Sequence, residues 1–167
     1  MRTVANLHDR TDPAELRRVY GCFPSGVAAI CALNEKGAPT GMAVSSFTPV
    51  SLDPPLVSVC MQNASATWPA LRRARRLGVS VLAEAQDAVA LSLASRTGDR
   101  FAGLNWAVTG EGAVLLDEAS AWLECALDTE HMAGDHTVAL LRVLSLAGDP
   151  ARQPLVFHGS RFRGLTG

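Results

Sequence analysis

The residues best suited to chemistry lie in one stretch, GMAVSSFTPVSLDPPLVSVCMQNASATWPAL, from Gly41 to Leu71. Ser45, Ser46, Thr48 and Ser51 carry hydroxyls through a segment stiffened by Pro49, Pro54 and Pro55. A plain hairpin loop needs only a few residues. This longer segment between two apolar runs is expected to form a rigid collar whose amides and hydroxyls meet the heteroatoms of a ligand. A second polar cluster, Asn63, Ser65 and Thr67, leads into an expected helix, with Thr67 as cap, Pro69 in the first turn and Gly78 past the end. Hydroxyls and free N–H groups at a helix start suit an anion such as phosphate. The strand expected between the clusters, Leu56 to Gln62, spans roughly 23 Å at ~3.3 Å per residue. A groove along it can hold a planar ring at one end and a phosphate at the other. The same hydroxyls also serve loop backbone, and Ser65 and Thr67 also serve as caps, so residue type alone leaves both uses open.

Other chemistries lack their residues. TGEGAVLL contains G-x-G without the third glycine of a dinucleotide fingerprint, and neither G-x-x-x-x-G-K-[ST] nor G-x-S-x-G occurs. His8, His131, His136 and His158 show no metal-ligand spacing. Acidic residues are scattered at expected caps and turns, so no acid/base pair stands out. An enzyme built from this chain would draw its hard chemistry from a cofactor.

Composition narrows the class. The 167 residues fit one domain with a real core, and 48% hydrophobic against 19% charged content argues against disorder. A net charge of −1 argues against nucleic acid or anionic membranes as partners. Cys22, Cys31, Cys60 and Cys125 form no C-x-x-C and lie in apolar settings, so buried free thiols in a reducing compartment are expected. MRTVANLHDRTDPAEL carries no apolar signal core, and no stretch approaches the ~20 apolar residues of a membrane span. A soluble, cytoplasmic protein is expected.

The positioning elements follow from pattern. Residues 1–11 read as an N-terminal arm and 12–167 as one domain. Asp12, Pro13 and Glu15 open a helix whose Leu16, Val19, Tyr20 and Phe23 form an apolar face. Strands are expected at 27–33, 41–47, 56–62, 79–83, 106–109, 121–128 and 137–146, with helices after Thr67 and Asp87 and a terminal hairpin in PLVFHGSRFRGL. Arg72, Arg73, Arg75 and Arg76 read as a solvated helix face. Without βαβα alternation, the pattern favours a small antiparallel β-barrel decorated by helices.

At this point the chain resembles the flavin reductase-like family, the small NAD(P)H-dependent reductases of two-component flavin monooxygenases. The resemblance runs from about Asp12 to Leu165. Its pieces are FPSGVAAI, GMAVSSFTPVSLDPPLVSVCMQNASAT, GVSVL, GDRFAGLNW, GAVLLDEASAWLEC, GDHTVALLRV and PLVFHGSRF, in that order. It implies a mainly β, Greek-key-like split β-barrel that forms homodimers. It also implies hydride transfer from NADH or NADPH to FAD or FMN, with reduced flavin passed to a partner monooxygenase. By resemblance, Ser45, Ser46, Phe47, Thr48 and Ser51 line the flavin ring and ribityl chain, and Cys60 lies beside them. Asn63, Ser65 and Thr67 match the phosphate-contacting segment. Arg100 and Phe101 close over the site, His136 lies near the nicotinamide, and Phe162 is a neighbouring aromatic. Ala43 stands where the family often has Thr, and Pro49 where a small or polar residue is common. A non-catalytic flavin carrier or redox sensor on the same fold is the alternative.

Overall fold

The computed structural model describes residues 12–165; the expected N-terminal arm, with His8, lies outside the described residues. Helix α1 (Pro13–Tyr20) starts as its sequence dictates, with the Asp12 carboxylate accepting from the Ala14 N–H at 3.3 Å. Its apolar face is left largely open by the described residues, with Leu16 half-buried. No α1 residue is buried, Tyr20 is 68% exposed, and Phe23 just beyond it is 78% exposed.

From Ser25 onward the chain is mostly strand. In order come β1 (Ser25–Gly26), β2 (Ala28–Leu33), β3 (Pro39–Val44), β4 (Thr48–Leu52), β5 (Pro55–Gln62), α2 (Trp68–Leu71) and β6 (Leu77–Val81). A 3-10 turn (Glu84–Gln86) leads into α3 (Asp87–Ala94), followed by β7 (Trp106–Val108) and β8 (Val114–Leu116). The long β9 (Ala121–Ala133) and β10 (His136–Gly148) precede the terminal hairpin of β11 (Val156–His158) and β12 (Arg161–Arg163).

Three expectations are corrected. The hydroxyl-rich collar is not all loop: β4 lies inside it and pairs with β5, with a bulge after Pro49 and a cis Asp53–Pro54 peptide in the turn. An edge strand tolerates proline and polar residues, so its pattern reads as loop. Second, α2 ends at Leu71 rather than Leu77. Arg72, Arg75 and Arg76 leave the helical path and meet Glu130, Glu111 and Glu124. Third, Cys31 and Cys125 are buried, but Cys22 is exposed and Cys60 half-buried.

Seven strands form one antiparallel sheet in the order β3-β2-β6-β9-β10-β5-β4. Its two edge strands, β3 and β4, are joined only by Ser45–Phe47. A flat sheet of this order would set its edges about 29 Å apart at ~4.8 Å per strand. So short a link reaches roughly 14 Å at ~3.5 Å per residue. The sheet therefore curls until its edges approach, which makes a barrel split between β3 and β4. Ser46 spans the split: its hydroxyl accepts from the Cys60 N–H at 2.8 Å and donates to the Cys60 carbonyl at 3.1 Å.

Ile30, Val59, Met61, Leu77, Val79 and Leu141 fill the barrel. A second cluster, including Ala29, Cys31, Leu93, Phe101, Val114 and Leu155, lies outside it under α3 and the terminal segments. Strand β2 serves both cores and is buried on both faces, which explains its run of small apolar residues. No helix of the described residues is long and apolar enough to cross a membrane.

Candidate functional site

The split in the barrel opens into a cleft of about 760 Å³. Ser45 and Ser46 form one wall with the end of β3. Cys60 and Gln62 project from β5, Ser65 and Thr67 follow, and His136 starts β10 beside Gln62. Arg100 closes one end, with Leu93 and Arg96 at and beyond the end of α3. On β5 the alternation sends Val57, Val59 and Met61 into the core and Cys60 to the other face. Among the described residues, no aspartate or glutamate lines the cleft.

Seven residues singled out from sequence thus meet in one place: Ser45, Ser46, Cys60, Ser65, Thr67, Arg100 and His136. Their hydroxyls differ in use. Ser45 is exposed and has no partner among the described residues. Ser46 spends its hydroxyl on the backbone of β5. Ser65 Oγ accepts from the Trp68 N–H at 3.2 Å, and Thr67 Oγ1 accepts from Arg100 Nη1 at 2.7 Å. Arg100 also donates to the Gly41 carbonyl at 3.2 Å, so it braces α2 against β3. A Cβ on Gly41 would come within 2.5 Å of Cys31 Sγ, and glycine allows this close approach.

The short α2 has little dipole, and its first N–H is already taken by Ser65. The positive charge comes instead from Arg96 and Arg100. Arg96 was not singled out from sequence. The available signal was its place in the polar, glycine-containing loop SRTGDR, four residues before Arg100.

Other expected residues lie around the cleft. Phe47 and Thr48 line an adjoining hollow of about 820 Å³ that shares Ser45, Ser46 and Cys60 with the cleft and is bordered by Tyr20, Phe23 and Phe157. Ser51 sits on β4 opposite Leu56, past the bulge. Asn63 faces a neighbouring hollow and ties β5 to the β9–β10 turn: Nδ2 donates to the Gly134 carbonyl at 3.1 Å, and Oδ1 accepts from Thr137 at 2.8 Å. Phe101 is buried in the outer core, and Phe162 packs on Phe157 with ring centroids 5.4 Å apart.

His136 Nδ1 lies 2.7 Å from Asp135 Oδ1. The hydrogen bond and charge of His136 hold the Asp135 carboxyl below its ordinary range. This leaves the other ring nitrogen, Nε2, without a partner among the described residues. Burial pushes the Cys31 and Cys125 thiols up to about 12, so both stay protonated near neutrality.

Comparison with known proteins bears on this arrangement. The model of a flavin reductase like domain matches residues 20–166. The reductase subunit of a flavin-dependent monooxygenase from Rhodococcus jostii (strain RHA1) is 38% identical over 154 residues, 92% of this chain and 78% of that protein. An NADH-dependent FAD reductase from Streptomyces globisporus is 38% identical over 164 residues, 95% of this chain and 89% of its own. The NADH:FAD oxidoreductase of S. globisporus C-1027, solved in complex with NAD and FAD fragments, matches with a TM-score of 0.90 at 37% identity, covering 97% of this chain and 98% of that one. The split barrel, the ordered motifs and these matches together place the chain in the flavin reductase-like family.

Proposed function

We propose that this chain is an NAD(P)H-dependent flavin reductase. It moves a hydride from NADH to FAD or FMN and supplies free reduced flavin to a partner flavin-dependent monooxygenase. The observation that carries this reading is the cleft at the barrel's split, with hydroxyls along its wall, guanidinium groups at one end and, among the described residues, no carboxylate in its lining. The relatives named as NADH-dependent FAD reductase and as a monooxygenase reductase subunit support it.

The residues present fit a flavin nucleotide. The volume, about 760 Å³, falls in the ~300–1,000 Å³ range usual for small-molecule sites. Met42, Ala43 and Ala66 offer apolar surface to a planar ring, and Ser65, Thr67 and Arg100 offer donors to a phosphate. When bound, the flavin supplies the hydride acceptor that the side chains lack. The chain's own work is to bind, align and exclude water, holding two rings at roughly 3–3.5 Å. Ser46 fixes the collar on β5, and the open hydroxyl of Ser45 contacts the ring. Phe47, Thr48, Ser51 and Cys60 continue that wall. Thr67 and Arg100 hold phosphate, and His136, anchored by Asp135, faces the nicotinamide. Asn63, Phe101 and Phe162 act from behind by fixing the turn, the loop and the hairpin that frame the cleft.

Residues 12–167 work as one domain in this reading. The chain pairs as a homodimer, because Tyr20 and Phe23 border the second hollow without cover and Val19 beside them is half-exposed. It works in the cytoplasm, where reduced nicotinamide nucleotides and unpaired thiols such as Cys22 coexist.

Steady-state oxidation of NADH and NADPH against FAD, FMN and riboflavin tests the reading. Turnover that requires both a nicotinamide donor and a flavin supports it. Flavin binding without turnover would instead identify a carrier or redox sensor.

A further inference from the structure

Most arginines among the described residues face a carboxylate within 4 Å, Arg73 included. Arg96 and Arg100 belong to the cleft. The others that face none, Arg17, Arg161 and Arg163, gather around one turn.

That turn joins β11 to β12. His158 pairs with Arg161 across it, and Gly159 and Ser160 take positive φ of 57° and 59°, the geometry of a tight hairpin turn. The Gly159 N–H donates to the Gly21 carbonyl at 2.9 Å, which ties the turn to the end of α1. Arg17 of α1 borders the same hollow as His158, Gly159 and Ser160. On β12, Phe162 packs inward on Phe157, so Arg161 and Arg163 on either side of it project from the opposite face. Arg163 Nε reaches the His158 carbonyl at 3.5 Å. All three arginines are exposed. The neighbouring carboxylates do not neutralise them: Glu15 binds Arg18, and Glu84 lies against Gly164 without an ion pair among the described residues.

This basic surface stands beside the cleft. The hollow bordered by Arg17 and the turn shares Ser45, Ser46 and Cys60 with it. Arg17 also helps hold the Asp135 carboxyl low, so its field reaches the turn that carries His136. Strand β12 is the outer strand of its sheet, and no described strand covers its free edge. The charge is local, in a chain whose net charge is −1. A compact positive surface on a nearly neutral molecule orients a negative one that approaches it. Arginines around a single turn make no extended track for a nucleic acid, but they match clustered carboxylates on a protein.

We propose that Arg17, Arg161 and Arg163 form a docking surface for an acidic face of the oxygenase that takes up the reduced flavin. The identity of that partner rests on the flavin reductase reading; its acidic chemistry rests on the arginines. Docking there sets the partner beside the hollow that adjoins the cleft and shortens the path of a reduced flavin through oxygenated solution.

Labelled poly-L-glutamate serves as the acidic probe, with a double-stranded DNA oligomer of equal charge beside it. Fluorescence anisotropy reads the binding of each at about 20 and about 200 mM NaCl. The proteins are wild type, Arg161→Gln/Arg163→Gln, Arg161→Lys/Arg163→Lys and the charge-matched Arg73→Gln/Arg152→Gln. Wild type is expected to bind poly-L-glutamate more tightly than DNA, and more weakly at the higher salt. Arg161→Gln/Arg163→Gln is expected to weaken that binding about tenfold, the lysine pair to recover most of it, and the charge-matched variant to bind as wild type does. Turnover of free FAD with NADH is expected to stay at the wild-type rate in Arg161→Gln/Arg163→Gln. No poly-L-glutamate binding by wild type would overturn the proposal and leave the arginines as guards of an open strand edge. Equal weakening in the charge-matched variant, or DNA bound as tightly as poly-L-glutamate, would also overturn it. So would a monomer in sedimentation velocity for Arg161→Gln/Arg163→Gln with a dimeric wild type, which would assign the arginines to the contact between subunits. A wild type that turns over no flavin would overturn the reductase reading instead, and the poly-L-glutamate comparison would still decide the acidic surface.

Discussion

At the scale of residues, the site divides hydroxyls that are spent from hydroxyls that are free. Ser46 supplies the bonding that β5 loses where β4 peels away, so Ser46→Ala leaves the Cys60 N–H and carbonyl unpaired. This change is expected to cost about 1–2 kcal/mol in urea unfolding, and Ser46→Thr should retain most of it. The four thiols separate by environment. Iodoacetamide at pH 8 is expected to label Cys22 and Cys60 and to spare Cys31 and Cys125, whose thiols sit near 12; mass spectrometry reads this directly. Because Cys60 lines the cleft, added FAD should slow its labelling. Serine-rich spacing made the collar legible as a ligand wall, and the GDHT and GDRF pieces brought His136 and Arg100 with it. Spacing could not show that Ser46 faces backbone while Ser45 stays open, because that depends on where two distant strands part. Arg96 stayed hidden because an arginine in a polar loop looks like any surface charge until its neighbours are known.

At the scale of elements, the strands buried on both faces were the most legible. The small apolar run of β2 reads as a buried strand, and β5 matches the strand expected at 56–62, while which of its sides meets the cleft came from the structure. β4 was masked by proline and hydroxyls on an exposed edge, and α2 was overread because its arginines suit a helix as well as they suit ion pairs with β9 and its approach. The α1 face was legible as apolar, but its sequence could not say that the rest of the chain leaves it open. One contact between elements is unusually close: a Cβ on Gly78 of β6 would overlap the Val114 carbonyl of β8. Since the obstacle is backbone, Gly78→Ala is expected to destabilise the fold by roughly 1–3 kcal/mol. Thermal and urea unfolding should agree on it. Wild-type stability in this variant would mean that β8 does not lie against β6 as described.

At the scale of the whole molecule, a seven-stranded sheet whose edges are tied by a three-residue link has to close, and the closure leaves the split that holds the cleft. The barrel supplies rigidity, the collar supplies donors, and the loop after α3 supplies charge. The uncovered Tyr20 at the end of α1 and Phe23 just beyond it predict a dimer in sedimentation velocity; a monomer at micromolar concentration would leave the second hollow open and contradict the homodimer. The central claim is that this cleft brings a reduced nicotinamide and a flavin together for hydride transfer. Anaerobic mixing of NADH with FAD and catalytic amounts of the protein tests it most directly. The account predicts loss of the oxidised flavin absorbance at a rate proportional to protein, slowed about tenfold at subsaturating FAD by Thr67→Val combined with Arg100→Met. FAD that binds to the protein yet keeps its oxidised spectrum in the presence of NADH and NADPH would contradict it.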